Sequence, residues 1–187
     1  MCTTEPRAGR RQRGFSLIEL LFFIVVVGVA VTGVLSVYSV LTRTSVDPMI
    51  RKQAVAVAES LLEEVLAQPY TYCDPDDDAA DTAESAADCA TPETAMGWEA
   101  GETRSSNLMP FDNVNDYDGY TMSPIEDVAG NAMPDLAGYR ATVAVQPAGA
   151  FNGIPAGETL RITVTVTAPG NHTVSLSGYR TRYAPNF

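Results

Sequence analysis

Arg13-Gly14-Phe15-Ser16-Leu17-Ile18-Glu19-Leu20 opens the stretch that decides the fold, which continues to Leu41 with no further charged side chain. Only Ser16, Glu19, Gly28, Thr32, Gly33, Ser36 and Ser39 interrupt the apolar residues between Phe15 and Leu41. A helix needs roughly 20 predominantly apolar residues to cross a bilayer core, so this run is long enough to span. Ahead of it, Arg7, Arg10, Arg11 and Arg13 face a single acid, Glu5. A basic flank stays in the cytoplasm and directs the C-terminal bulk to the far side.

A secretory signal has a shorter apolar region followed by a small-residue cleavage site. Here the run is longer, and Thr42-Arg43-Thr44 follows it. A lipoprotein signal fails as well, because Cys2 precedes the apolar run. A plain signal anchor remains, but it leaves Glu19 without a reason. A carboxylate at the centre of a span costs about 3 kcal/mol on insertion scales, so it marks a functional site by default.

The octapeptide resembles the class III signal of type IV pilins and type II secretion pseudopilins: a basic leader ending in Gly, then Phe-Ser-Leu-Ile-Glu and an apolar helix. The resemblance covers about the first 40 residues. It implies cleavage between Gly14 and Phe15 by a prepilin peptidase, N-methylation of Phe15, and retention of the helix. It also implies an assembly role for Glu19, an inner-membrane assembly platform and other pilins as partners, and lipid around the helix before assembly. The chemistry is consistent with that role. A carboxylate four residues from a new amine can answer the amine of a staggered neighbour, and such a pair sets register more than it adds net stability.

Gly28 and Gly33 allow close helix approach, although their spacing is not the four-residue small-xxx-small pattern. Many pilins carry a Pro near the middle of this helix, whereas the first here after the span is Pro48. Asp47-Pro48 reads as a helix restart, with Asp at the N-cap and Pro at the first position. From Pro48 to Gln68, residues Ala54, Ala58, Leu61, Leu62 and Val65 share one face, with Glu59, Glu63 and Glu64 largely elsewhere. Gln68-Pro69 ends the segment. The expected organisation is a leader at 1–14, a membrane and filament-core helix at 15–42, an amphipathic helix at 43–68, and a head at 69–187.

Between Asp74 and Glu102 the chain carries ten acids and no base. The stretch reads as a solvated loop. Cys73 and Cys89 frame its first half, and Cys2 lies in the leader, so the processed chain holds an even number of cysteines in an oxidising compartment. A Cys73–Cys89 disulfide is expected. Asp74, Asp76 and Asp78 alternate as at the start of an EF-hand, but Ala79 stands where that loop needs Gly. If calcium binds, Asp112, Asn115, Asp116 and Asp118 are better placed. The favoured reading of that cluster is a set of Asx turns, with no cofactor expected.

Tyr139–Gln146, Leu160–Thr167 and Thr173–Arg182 alternate as half-buried strands, and Ala168-Pro169-Gly170-Asn171 turns the last two into a hairpin. Three or four antiparallel strands packed on the amphipathic helix make an α+β, pilin-like fold. Tyr179-Arg180-Thr181-Arg182-Tyr183 reads as a strand end with solvated arginines.

The whole chain of 187 residues carries a net charge of −11, which argues against a nucleic-acid partner. His172 is the single histidine, and no zinc pair, nucleophile elbow or phosphate loop accompanies it, so no catalytic residues are expected. Ala58-Glu59-Ser60-Leu61-Leu62-Glu63-Glu64-Val65-Leu66, Gly101-Glu102-Thr103-Arg104, Phe111-Asp112-Asn113-Val114-Asn115-Asp116-Tyr117-Asp118-Gly119, the Arg161–Thr167 strand and Tyr179-Arg180 resemble minor pilins of mannose-sensitive haemagglutinin (MSHA) pili. That resemblance implies an accessory subunit of a type IV pilus. A minor pseudopilin of a secretion system and a pilus-mounted adhesin are the alternatives.

Overall fold

Apolar, β-branched residues dominate the chain from Leu17 onward, and they form helix α1, Leu17–Ala67. The computed structural model describes residues 14–183. The leader, apart from Gly14, lies outside the described residues. The chain divides into two compact units, Met1–Val46 and Asp47–Phe187.

In the first unit the helix is coated with grease. Leu17–Ser39 is a 23-residue stretch of mean hydropathy 2.8, none of it buried. Phe15, Leu17 and Val34 are 84%, 82% and 69% exposed. An apolar surface of this extent on a water-soluble protein marks a lipid or protein interaction site. By length and composition this segment can cross a membrane.

α1 continues through Asp47-Pro48, where the sequence reads as a fresh start. A proline ring has a helical φ, so it removes one donor and crowds one carbonyl without forcing the chain out of the helix. The second unit then begins on the helix's one-sided segment. Ala54, Ala58, Leu61 and Val65 are almost wholly buried, with Val57 beside them. Helix α1 ends at Ala67, and the Gln68 amide donates to the Val65 carbonyl in a closing turn.

The sheet is a meander of four antiparallel strands: β1 (Thr121–Met122), β2 (Arg140–Pro147), β3 (Thr159–Ala168) and β4 (His172–Thr181). The three long strands follow the alternation in the sequence, and β1 is too short to show any. Register places Val143 opposite Val164, and Val164 opposite Leu176. Leu160, Ile162, Val164 and Val166 of β3 are fully buried against the helix face in one core. Each such side chain contributes about 1.5–3 kcal/mol by leaving water. On the opposite face, hydroxyls pair across the strands: Thr163 with Ser177 at 2.9 Å and Thr165 with Ser175 at 3.0 Å. Gly178 marks a close approach of α1 to β4, since a Cβ there would lie 3.0 Å from Leu66 Cδ1. The whole is α+β: a long N-terminal apolar helix followed by a small antiparallel sheet, as in a pilin-like fold.

Candidate functional site

The N-terminal site is built by a helix start. Gly14, Phe15 and Ser16 precede α1, and the Leu20 amide donates to the Ser16 carbonyl at 3.1 Å. Glu19 therefore stands in the first turn, where its charge is favourable against the helix dipole. Farther along, Thr32 Oγ1 donates to the Gly28 and Val29 carbonyls at 2.9 Å each, and Ser39 Oγ to Ser36 at 2.8 Å. These hydroxyls are satisfied inside their own helix, as an apolar medium requires. Gly28 and Gly33 have open space where a Cβ would stand, so a neighbouring helix meets no side chain there.

In the second unit the acidic stretch is more ordered than the sequence reading allowed. The Cys73–Cys89 disulfide is present, with Cα atoms 5.3 Å apart. Around it, Cys73, Ala80 and Ala83 form a small buried cluster of their own. Asp77 holds the loop by accepting from the Ala79 amide at 2.8 Å and the Thr91 amide at 2.7 Å. Those bonds, Ala79's first, hold its carboxyl below the usual range. Glu93 and Glu102 are only 4% and 9% exposed, which corrects the picture of a wholly solvated run.

The three carboxylates among the calcium candidates, Asp112, Asp116 and Asp118, do not gather in one group. Asp112 groups with Asp74 and Asp76, while Asp116 groups with Glu93 and Glu99. Asp118 Oδ1 accepts from the Val145 amide at 2.8 Å and so pins β2. The turn reading holds for much of the segment. Val114–Tyr117 is a 3-10 helix capped by Asn113, and Asp116 Oδ2 accepts from the Asp112 and Asn113 amides at 3.0 and 2.7 Å. Asn113 Nδ2 donates to Thr71 Oγ1 at 2.6 Å, tying the turn to the segment that leads to Cys73.

Burial, with too few donors nearby, pushes several acids up. Glu93 rises to about 8, mainly through desolvation, against a hydrogen bond from Asn115 and with repulsion from Glu99 and Asp116. Glu102 also rises to about 8, through desolvation and then the facing Glu99 carboxylate. Asp116 rises to about 7 and Asp112 to about 6, again chiefly by desolvation.

Two ion pairs escaped the sequence reading. Glu64, which the helical spacing sets largely off the apolar face, takes Arg104 in a two-pronged pair, Nε to Oε1 at 2.6 Å and Nη2 to Oε2 at 2.7 Å. Tyr117 donates to Glu64 Oε1 at 3.0 Å, and Arg104 Nη1 to the Asp127 carbonyl at 2.9 Å. This pair lies at the edge of an apolar cleft of about 440 Å³ between α1 and the segment that follows β1. Arg182 is the second correction. Its guanidinium lies 3.9 Å from the Tyr70 ring centroid and 4.6 Å from that of Tyr72, and its Nη1 is 3.4 Å from Glu158. Sequence alone offers a partial signal for each, a base in an acid-rich, aromatic-rich head, but not the partner. Trp98 stacks on Phe111 at 5.7 Å, and Phe111 meets Tyr117 and Tyr120 edge-on, which puts these rings largely to structural use.

No curated protein and no solved structure matches the chain. The family of the prokaryotic N-terminal methylation motif matches residues 9–35, the segment that runs from the basic leader through Glu19 into the exposed apolar helix. The chain thus carries a type IV pilin-like prepilin signal.

Proposed function

We propose that this chain is a minor pilin: a structural, non-enzymatic subunit of a type IV pilus, most like MshD of the MSHA pilus. The observation that carries the reading is the methylation motif at 9–35, which runs into a helix whose apolar side chains over Leu17–Ser39 are exposed. A prepilin peptidase cuts between Gly14 and Phe15 and methylates Phe15. The helix first holds the subunit in the inner membrane with the head outside the cytoplasm. The assembly platform then transfers it into the filament, where helices of other pilins replace lipid around it. Glu19 is the assembly residue, answering the amine of a neighbouring subunit. The minor-pilin assignment rests on the short motifs of the head, from Ala58–Leu66 to Tyr179-Arg180.

The test is purification of surface filaments followed by N-terminal mass analysis. A chain starting at methylated Phe15 supports the reading, and an uncleaved Met1 form within filaments overturns it. Glu19→Ala should insert into the membrane normally but be depleted from filaments. A deletion strain that still makes pili but fails to secrete folded exoproteins would assign the chain to a secretion pseudopilus instead.

A further inference from the structure

Strand β4 closes the sheet on one side, and no further strand lies beyond it among the described residues. It pairs with β3 along its whole length, from Thr181 opposite Thr159 to His172 opposite Ala168, with no bulge to break its line. The Arg182 amide donates to the Glu158 carbonyl, the next pair in the same register. Bonded and non-bonded pairs alternate along an antiparallel ladder. Val174, Leu176, Gly178 and Arg180 therefore turn their amides and carbonyls to β3. Thr173, Ser175, Ser177 and Tyr179 turn theirs to the open side.

Native sheets blunt such edges with short strands, proline, bulges or charge. At the other edge β1 is two residues long, and Asp118 takes the Val145 amide beyond it. β4 has ten residues, no proline and one charged side chain, Arg180. Val174 and Leu176 pack against the core from this edge yet are only half-buried. Arg180 Nε is buried and has no hydrogen-bond partner, while its guanidinium lies 5.0 Å from the Tyr183 ring centroid. An orphaned cationic donor calls for an acceptor, and a carboxylate is the strongest. From His172 to Tyr183 the chain supplies Arg180 and Arg182 and no acid. A second copy offering its own β4 would therefore leave Arg180 unanswered.

We propose that β4 receives an extended strand of a different chain, apolar towards Val174 and Leu176 and bearing an Asp or Glu beside Arg180. Main-chain bonds to Thr173, Ser175, Ser177 and Tyr179 supply the affinity, and the two apolar positions with Arg180 select the sequence. That the strand comes from another subunit of the filament rests on the pilin reading above.

The test places the photoreactive residue p-benzoylphenylalanine at position 175 or 177 of the full chain in cells, then irradiates, purifies filaments and identifies the joined peptides by mass. Both positions should crosslink to one acid-bearing segment of another subunit. The same probe at position 140, exposed on β2, should not. Ser177→Pro removes an outward N–H and no bond to β3, so it should melt within about 5 °C of the parent. Crosslinking from position 175 should nevertheless fall about tenfold or more in that variant. Arg180→Glu, which puts no proline in the strand, sets like charges together and should lower the yield by about tenfold as well. Yield undiminished in both variants overturns the proposal. So does equal yield from position 140, or a joined peptide that comes from a second copy of this chain. Filaments that hold the chain from methylated Phe15 yet give no crosslink overturn this inference alone. Filaments without the chain overturn the pilin reading with it.

Discussion

Replacing Arg104 by Met should be among the most destabilising single changes in the head. The guanidinium is held by both oxygens of Glu64, at 2.6 and 2.7 Å, and the two side chains are only 6% and 19% exposed. Arg104 also reaches the Asp127 carbonyl at 2.9 Å, so one residue joins α1 to the segment that follows β1. Removing it leaves the Glu64 carboxylate facing only the Tyr117 hydroxyl. Breaking one side of a buried pair costs about 3–5 kcal/mol, because the remaining charge is stranded out of water. At about 2–4 °C per kcal/mol for a domain of this size class, the melting temperature should fall by about 10 °C. The double variant Glu64→Leu/Arg104→Met strands no charge. It should regain much of the loss, short of about 1–3 kcal/mol for the Tyr117 hydroxyl left without an acceptor. The assay is chemical denaturation of the parent, the two single variants and the double variant as a cycle. A coupling energy above about 2 kcal/mol is expected. Additivity within about 0.5 kcal/mol, the behaviour of independent sites, would refute the reasoning.

Three further outcomes follow from the same geometry. Cys73→Ser/Cys89→Ser opens a loop of sequence separation 16 and should lower stability by about 3 kcal/mol in the chain-entropy account, read from urea melts under non-reducing conditions. Gly178→Val drives a side chain into Leu66 and should cost about 1–3 kcal/mol by overpacking, with Leu66→Ala in the same chain restoring part of it. Asp77, whose carboxyl is held below its ordinary range, favours the folded loop above the unfolded Asp value and loses that effect as pH falls through the lower folded value. Melts of Asp77→Ala and the parent should therefore differ near neutral pH and converge in strong acid. A constant difference would show that the bonds to Ala79 and Thr91 do not depend on its charge.

The elements that could be read from the chain are those whose signal is local. The Leu17–Ser39 span shows as an unbroken apolar run, and β3 shows as Ile162, Val164 and Val166 alternating with threonines. The disulfide was accessible because Cys73 and Cys89 are the two cysteines outside the expected leader, which leaves one pairing. Asp47-Pro48 misled because an N-cap signal and an interior proline look identical until the preceding turn is seen. The Glu64 pair was not legible because a carboxylate off the apolar face gives no sign of its partner, a base forty residues away.

The acidic stretch shows the limit most clearly. Composition alone makes 74–102 a solvated loop, and for Asp76 and Glu84 it is one. Glu93 and Glu99 lie beside Asp116 only because the 3-10 helix at Val114–Tyr117, held by Thr71 and Asp118, brings that carboxylate to them. The sequence by itself determined the prepilin signal, the membrane-competent helix and the alternating strands, since each depends on neighbours within a few residues. Only the tertiary structure decided which charges are paired and which acids are buried together. Desolvation and Coulomb interactions depend on distances in space, and those distances exist only once the core has closed.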